Sequence, residues 1–442
     1  MPDSKATQDS GSPLFAGLTS RRGDSPELVE SMARTVTRLL EAPGGGSNEG
    51  GPTSGNRPAM LLGKIQSGKT RSFIGIIAKA FDKGVDFAIV LTKGTSALSE
   101  QTMRRITADF RGAIEDENVL VYDIMHLPKN LTRYHLGKKI IVVAKKQKDN
   151  LKRIFEALRN HYPDLQTKRL LIIDDEADYA SLTYRRNTDT DELEPGKIAR
   201  WVDDLRSATA STSFLQVTAT PYSLYLQPSD AADTPLFHPV RPAFTELLPT
   251  HSTYVGGDFF FGEADDETSP AHFVYEEVSQ DEREVLKKSD GRVFRLAQAL
   301  TSTRIAVLRH ALLTFVVATC TRRLQQEAAG IKRQRYSFIV HTEHSRGSHS
   351  WQASVVGAVI EAFVKAARDN PAILEELIKT SWLDLQRSMS LSGEPVPAFP
   401  DVLSAVRSAL DGGELMVTVV NSDNQVRDQL DEEGQLRLDA PA

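Results

Sequence analysis

Six short runs in the first half of this chain are apolar at nearly every position: Met60–Leu62, Phe87–Leu91, Val119–Tyr122, Ile140–Ala144, Leu170–Ile173 and Phe214–Val217. A strand with one face in water alternates polar and apolar residues, so a run that is apolar throughout implies burial on both faces. Between the runs lie stretches of helical pattern, notably Thr70–Phe81, Ala97–Phe110 and Gln147–Asn160. Short buried strands joined by crossover helices predict a parallel sheet covered on both sides, an α/β domain over about residues 57–228.

The first of these runs leads into Gly63, and Gly68, Lys69 and Thr70 follow at the spacing G-x-x-x-x-G-K-T of a phosphate-binding P-loop. Glycines at both ends let the backbone curl so that its N–H groups, with those of Gln66 and Ser67 between them, turn inward on phosphate oxygens. The following helix adds the positive end of its dipole. In this pattern Lys69 reaches the β- and γ-phosphates and the Thr70 hydroxyl ligates Mg²⁺, so the motif predicts an ATP·Mg²⁺ site. The competing reading is a glycine-rich turn that binds nothing. With a P-loop on its first strand, the domain is expected to be RecA-like.

Three more stretches end strands with polar groups. Leu170–Ile173 runs into Asp174-Asp175-Glu176-Ala177-Asp178, a Walker B pattern. One Asp there holds Mg²⁺ and the adjacent Glu polarises the attacking water. The expected assignment is Asp175 to Mg²⁺ and Glu176 as general base; Asp174, one position earlier, is the alternative register. Val217 leads into Thr218-Ala219-Thr220-Pro221, small hydroxyl residues suited to sensing the γ-phosphate and coupling it to a neighbouring domain, or an ordinary turn. After the second run come Thr92, Lys93, Gln101, Arg104 and Arg105, candidates for nucleic-acid contact or simply a solvated helix face. Residues 129–169, which include Lys145 and Lys146, hold twelve Lys/Arg against three Asp/Glu. The formal net charge of the chain is −6, so a nucleic-acid contact requires a local basic patch of this kind.

These motifs resemble superfamily-two helicases and translocases, and their wording is closer to the bacterial Z-one domain family, described as endonucleases of restriction and phage-defence gene clusters. The matching segments are Gly63–Thr70, Leu91–Arg105, Val143–Lys146, Ile172–Ser181 and Thr218–Tyr222, with Phe338–Thr342 and Val417–Ser422 as strands of a second RecA-like domain. The resemblance implies an ATP-driven motor acting on DNA, with links to partner ATPases of the MutL/MORC type or to a nuclease. No independent nuclease motif is present. After Asn421 the family pattern calls for a glycine-rich stretch and an arginine motif, whereas here the chain runs through Asp431-Glu432-Glu433-Gly434 to Ala442. That departure predicts an incomplete second RecA-like domain and a chain that binds nucleotide but hydrolyses it poorly by itself.

Elsewhere, residues 1–24 read as polar and without order. A helix starting at Ser25-Pro26-Glu27 runs to about Ala42, and residues 43–57 read as a flexible linker, so 1–56 is expected to be an extension. Residues 229–299 read as an irregular insertion. Its stretch Asp258–Glu284 has ten acids and one base, a pattern of solvated surface or protein contact. Helices are expected at Thr301–Ala328, Ser350–Asp369 and Pro371–Ser388, within a 300–442 region. The apolar run Ile305–Cys320 is shorter than a bilayer span and contains Arg309 and His310, so a buried helix and no membrane contact are expected. The single cysteine, Cys320, excludes a disulfide framework and a Cys-based zinc site and fits the cytoplasm. Two functional classes stay open beside the motor: a nucleotide-dependent switch or scaffold that binds proteins, and an endonuclease.

Overall fold

The computed structural model describes residues 13–41, 58–94, 96–178, 184–186, 193–195, 197–209, 211–225, 242–342 and 345–419. The chain divides into two compact units, residues 1–254 and 255–442. The linker expected at 43–57 and the segment beyond Val419, with Asn421 and the stretch where the arginine motif was expected, lie outside the described residues.

The strands of the first unit are β1 (Ala59–Leu62), β2 (Phe87–Thr92), β3 (Val119–Asp123), β4 (Lys139–Lys145), β5 (Arg169–Asp175), β6 (Tyr184–Arg186), β7 (Leu193–Pro195), β8 (Ser211–Thr218) and β9 (Phe244–Leu247). Strands β6 and β7 form a small antiparallel pair. The other seven form one sheet in the order β3-β4-β2-β5-β8-β1-β9, and every pairing in it is parallel. The helices are α1 (Leu14–Arg22), α2 (Pro26–Glu41), α3 (Lys69–Asp82), α4 (Ser96–Asp109), α5 (Arg111–Glu115), α6 (Arg133–Leu136), α7 (Lys148–Glu156), α8 (Lys197–Arg206) and α9 (Tyr222–Tyr225). Alternate strand residues bury on opposite sides. Leu61, Val90, Val143, Ile173 and Val217 share a core with α1, α2 and α3. Ile89, Val142, Ile172 and Phe214 share one with Leu151 and Ile154 of α7 and Val202 and Leu205 of α8. All six expected strands are present, and both faces are covered. Strand β9, at the sheet edge, falls where irregular structure was expected, because an edge strand that is only partly buried lacks the all-apolar signature.

Residues 13–41 are not a loose extension. Leu14–Arg22 is helical where no order was expected, and the cause is tertiary. The backbone N–H groups of Leu14 and Phe15 donate to the carboxylate of Asp82, at the end of α3, at 2.9 and 3.0 Å. Arg22 pairs with Asp109, and Arg71 with Asp24. Helix α2 seats Met32 in a notch on α3 made by Gly75, where a Cβ would stand 2.3 Å from the Met32 sulfur. Arg34 and Arg38 of α2 pair with Glu246 of β9, whose side chain is buried.

In the second unit α10 (Gln280–Lys287), α11 (Ala306–Ala328), α12 (Arg346–Asp369), α13 (Pro371–Leu391) and α14 (Phe399–Asp411) enclose one apolar core. The described part of this unit is helical and contains no sheet strand. Phe338–Thr342 and Val417–Val419, expected as strands of a second RecA-like domain, have no sheet partner, and Ile339 is 85% exposed. β-propensity without a neighbouring strand does not make a sheet. The irregular insertion expected at 229–299 is not a separate element either. Its part up to Tyr254, with β9, belongs to the first unit and its part from Val255 on to the second. The acidic tract is also not purely solvated: Glu282 is buried and accepts the N–H groups of Val307 and Leu308 at the start of α11, at 3.2 and 2.8 Å. Thr303–Ala328 is, by length and composition, long and apolar enough to cross a membrane, contrary to the shorter span expected. In this structure its Leu312, Leu313, Val316 and Val317 lie inside the core of the second unit.

Met32→Ala should loosen α2 from α3 at a cost of about 2–5 kcal/mol, the range for truncating a buried Met. A urea titration following the first unit should show the midpoint fall, and an unchanged midpoint would mean that α2 is merely appended.

Candidate functional site

A parallel sheet places the carboxyl ends of all its strands along one edge, where ligands of open α/β sheets bind. That edge therefore collects Gly63–Thr70 after β1, Thr92 and Lys93 at β2, Lys145 and Lys146 at β4, Asp175 and Glu176 at β5, and Thr218–Thr220 at β8.

The loop after β1 has a specific shape. The Gly63 N–H donates to the Thr218 carbonyl at 3.2 Å, joining the loop to β8. Gln66 (φ 57°) and Gly68 (φ 95°) take left-handed conformations, and α3 begins at Lys69. A Cβ on Gly63 would stand 2.9 Å from both Lys69 Cγ and Ser67 Oγ, so glycine is required for the loop to close on itself. The Lys69 ammonium donates to the Lys64 carbonyl at 3.1 Å, inside the curl. Ser67 Oγ is buried with no hydrogen-bond partner, and Thr70, in the first turn of α3, is half-buried. A tight loop, a lysine folded into it, an orphaned hydroxyl and a helix N-terminus fit a polyphosphate. One anchor was not legible in the sequence. Tyr254 donates its hydroxyl to the Ile65 carbonyl at 2.7 Å, and Leu248 N–H donates to the Leu62 carbonyl at 2.8 Å, so the segment after β9 holds the loop from the other side.

Strand alternation separates the two Walker B candidates. Asp175 continues the Leu171–Ile173 side of β5, the side of α3 and the loop, whereas Asp174 continues the Leu170–Ile172 side. Asp174 is fully buried against the ammonium of Lys146 at 3.0 Å, with both side chains inaccessible to water. Asp175, then, is the aspartate on the face of the P-loop. Burial pushes its carboxyl up to about 6; the adjacent Glu176 charge and Asp174 add to that rise, while Lys146 and Lys69 oppose it. Glu176 follows with φ 54°, and Lys146 donates to its carbonyl at 2.6 Å.

The acids after β5 are tied to the end of β8. Thr218 and Thr220 donate their hydroxyls to the two carboxylate oxygens of Asp178 at 2.9 and 2.6 Å. The Ala177 N–H donates to the Val217 carbonyl at 3.1 Å. The sequence pointed to both threonines as coupling candidates but not to their acceptor.

The nucleic-acid candidates divide. Gln101, Arg104 and Arg105 are exposed on α4, and their i, i+3, i+4 spacing puts them on one face. Lys93 and Lys145 are half-buried at the sheet edge. Thr92 and Lys146 are buried, 1% and 3% exposed, and so are not available to a phosphate backbone. The basic tract 129–169 is no single patch. Lys139 sits at the opposite end of β4 from Lys145, roughly 20 Å away at strand rise, where it donates to the Val85 carbonyl at 2.6 Å.

If Asp175 holds Mg²⁺, nucleotide binding should weaken as pH falls through about 6, because its carboxyl is held high and the proton competes with the metal. Isothermal titration with Mg·ATP between pH 5 and 8 should show this slope, and Asp175→Asn should flatten it. Gly63→Ala should weaken nucleotide binding at every pH in the same titration. A scan against protein-family models and a search of curated proteins each gave no match for this chain.

Proposed function

We propose that this chain is an ATP-binding, helicase- or translocase-like motor subunit built on a RecA-like P-loop domain, and that it acts on DNA in bacterial restriction or phage defence. The observation that carries the ATPase part is the convergence of the loop Gly63–Thr70 with Asp175 on one face of the sheet, at its carboxyl edge. In this reading the backbone of Gly63–Gly68 wraps the phosphates and Lys69 neutralises the β- and γ-oxygens. Thr70 and Asp175 hold Mg²⁺, which when bound offsets the charge developing on the transferred phosphoryl group. Glu176 accepts a proton from the attacking water. Thr218 and Thr220 exchange between Asp178 and the nucleotide-dependent state of the site, and so relay hydrolysis to the rest of the chain. Gln101, Arg104 and Arg105, flanked by Lys93 and Lys145, supply the DNA contact. The resemblance to the Z-one domain family adds partner subunits such as a MutL/MORC-type ATPase or a nuclease, and the single cysteine, Cys320, and the packed apolar helix favour the cytoplasm without membrane contact.

A second reading, a nucleotide-dependent switch or scaffold that binds proteins, draws on the net charge of −6 and on the loss of Thr92 and Lys146 from the basic candidates. An endonuclease reading rests on the family description alone.

ATP turnover with and without duplex and single-stranded DNA separates these. A motor turns over faster with DNA, and Lys69→Ala and Glu176→Gln each lower the rate by about 10²-fold or more. Turnover indifferent to DNA favours the switch. Thr220→Ala, which breaks one bond to Asp178, should keep nucleotide affinity and lose the DNA stimulation; equal stimulation in the variant would remove the relay.

A further inference from the structure

We infer that Lys146 is a positioning residue for hydrolysis, a buried clamp that fixes the backbone of Glu176 from the face of the sheet opposite the P-loop. The inference rests on the ATPase reading above and deepens it. Its observations are geometric. The Lys146 ammonium is fully buried and is bound at two points, to Asp174 Oδ1 at 3.0 Å and to the Glu176 carbonyl at 2.6 Å. Lys146 itself is fixed, because its N–H donates to the Thr92 carbonyl at 2.9 Å at the end of β2. Glu176 is one of only three non-glycine residues with positive φ among the described residues; another is Gln66, in the P-loop. A left-handed conformation at a residue with a Cβ persists only where its surroundings over-determine it. Here the surroundings are Lys146 on the Glu176 carbonyl and Val217 on the next N–H, at 3.1 Å.

The consequence for the site follows from strand direction. At Asp175 the chain is still β5, and its carboxylate lies on the P-loop side. The left-handed turn at Glu176 ends the extended backbone and sets the direction in which the Glu176 carboxylate leaves it. Without a donor on the carbonyl, only the Ala177 N–H bond to Val217 still holds the peptide plane after Glu176, and the general base shifts as that plane relaxes. Asp174 serves as the counter-charge that allows a lysine to be held there at all, since an unpaired ammonium is too costly to bury. The Lys146 ammonium is bonded to the backbone of Glu176, so Lys146 acts through Glu176.

The test replaces the pair as a unit. Lys146→Met/Asp174→Leu removes both charges and fills their volume with apolar atoms, a change that buried ion pairs often tolerate. The readouts are the urea midpoint, the affinity for a fluorescent ATP analogue with Mg²⁺, and the single-turnover cleavage rate of γ-labelled ATP with enzyme in excess. The expected result is a native-like midpoint, affinity within about threefold of wild type, and a cleavage rate reduced by about 10²-fold, the penalty for misplacing a reacting group. Adding the pair replacement to Glu176→Gln should then cost nothing more, because the clamp acts only through that carboxylate. Should the double replacement not fold, Lys146→Met/Asp174→Asn, which also removes both charges and keeps the size of the side chain at 174, carries the same expectations. An unchanged cleavage rate, or a loss that adds fully to that of Glu176→Gln, overturns the inference while the ATPase reading stands. Wild-type enzyme that binds the analogue but never cleaves ATP overturns both.

Discussion

A strand buried on both faces can carry polar chemistry only where it leaves the sheet. That constraint organises the first unit. Strands β2, β4, β5 and β8 are sealed between two apolar cores, so their functional groups collect where the chains exit. Because all seven strands run in parallel, the exits share one edge. One charged exception shows the cost. Asp174 is buried inside, and it is there with a lysine bonded to it. The alternation of side chains then sorts neighbours in sequence onto opposite faces, so that Asp174 and Asp175 have different surroundings although only a peptide bond separates them.

The parts of this architecture that were legible in the sequence are those whose cause is local. The six strands announce themselves because double burial removes alternation, and the tight loop Gly63–Thr70 because its curl needs glycine at fixed positions. The parts that were not legible have distant causes. Helix α1 is anchored by Asp82, 68 residues from its partner Leu14. Strand β9 is held by pairing along β1 and carries little apolar signal of its own. Lys146 looked like one more cation in a basic tract, and only the register of β4 against β2 and β2 against β5 shows that it meets an aspartate. Burial reverses the reading of such a residue, from a contact for an outside anion to a brace within the fold.

The second unit shows the converse. Phe338–Thr342 and Val417–Val419 have the composition of strands, but composition states a preference that only a neighbour can realise. The helices around them follow their own apolar periodicity. Glu282 shows how an acid in an acidic tract acquires a defined structural use, as the carboxylate at the positive end of α11.

The pairing of α2 with β9 has a consequence for how the chain is made. Arg34 and Glu246 are 212 residues apart, and β9 leads directly into the segment that steadies the P-loop. At ribosomal rates of about 5–20 residues per second, roughly 10–40 s separate the emergence of the two partners. During that interval α2 can already dock on α3 through Met32 and Gly75, but the outer edge of the sheet, at β1, is unfinished and open to pairing with another chain. Closing that edge and steadying the loop Gly63–Thr70 are thus one late event. A nascent chain stalled before residue 244 would lack both, and would meet other strands with that edge still open.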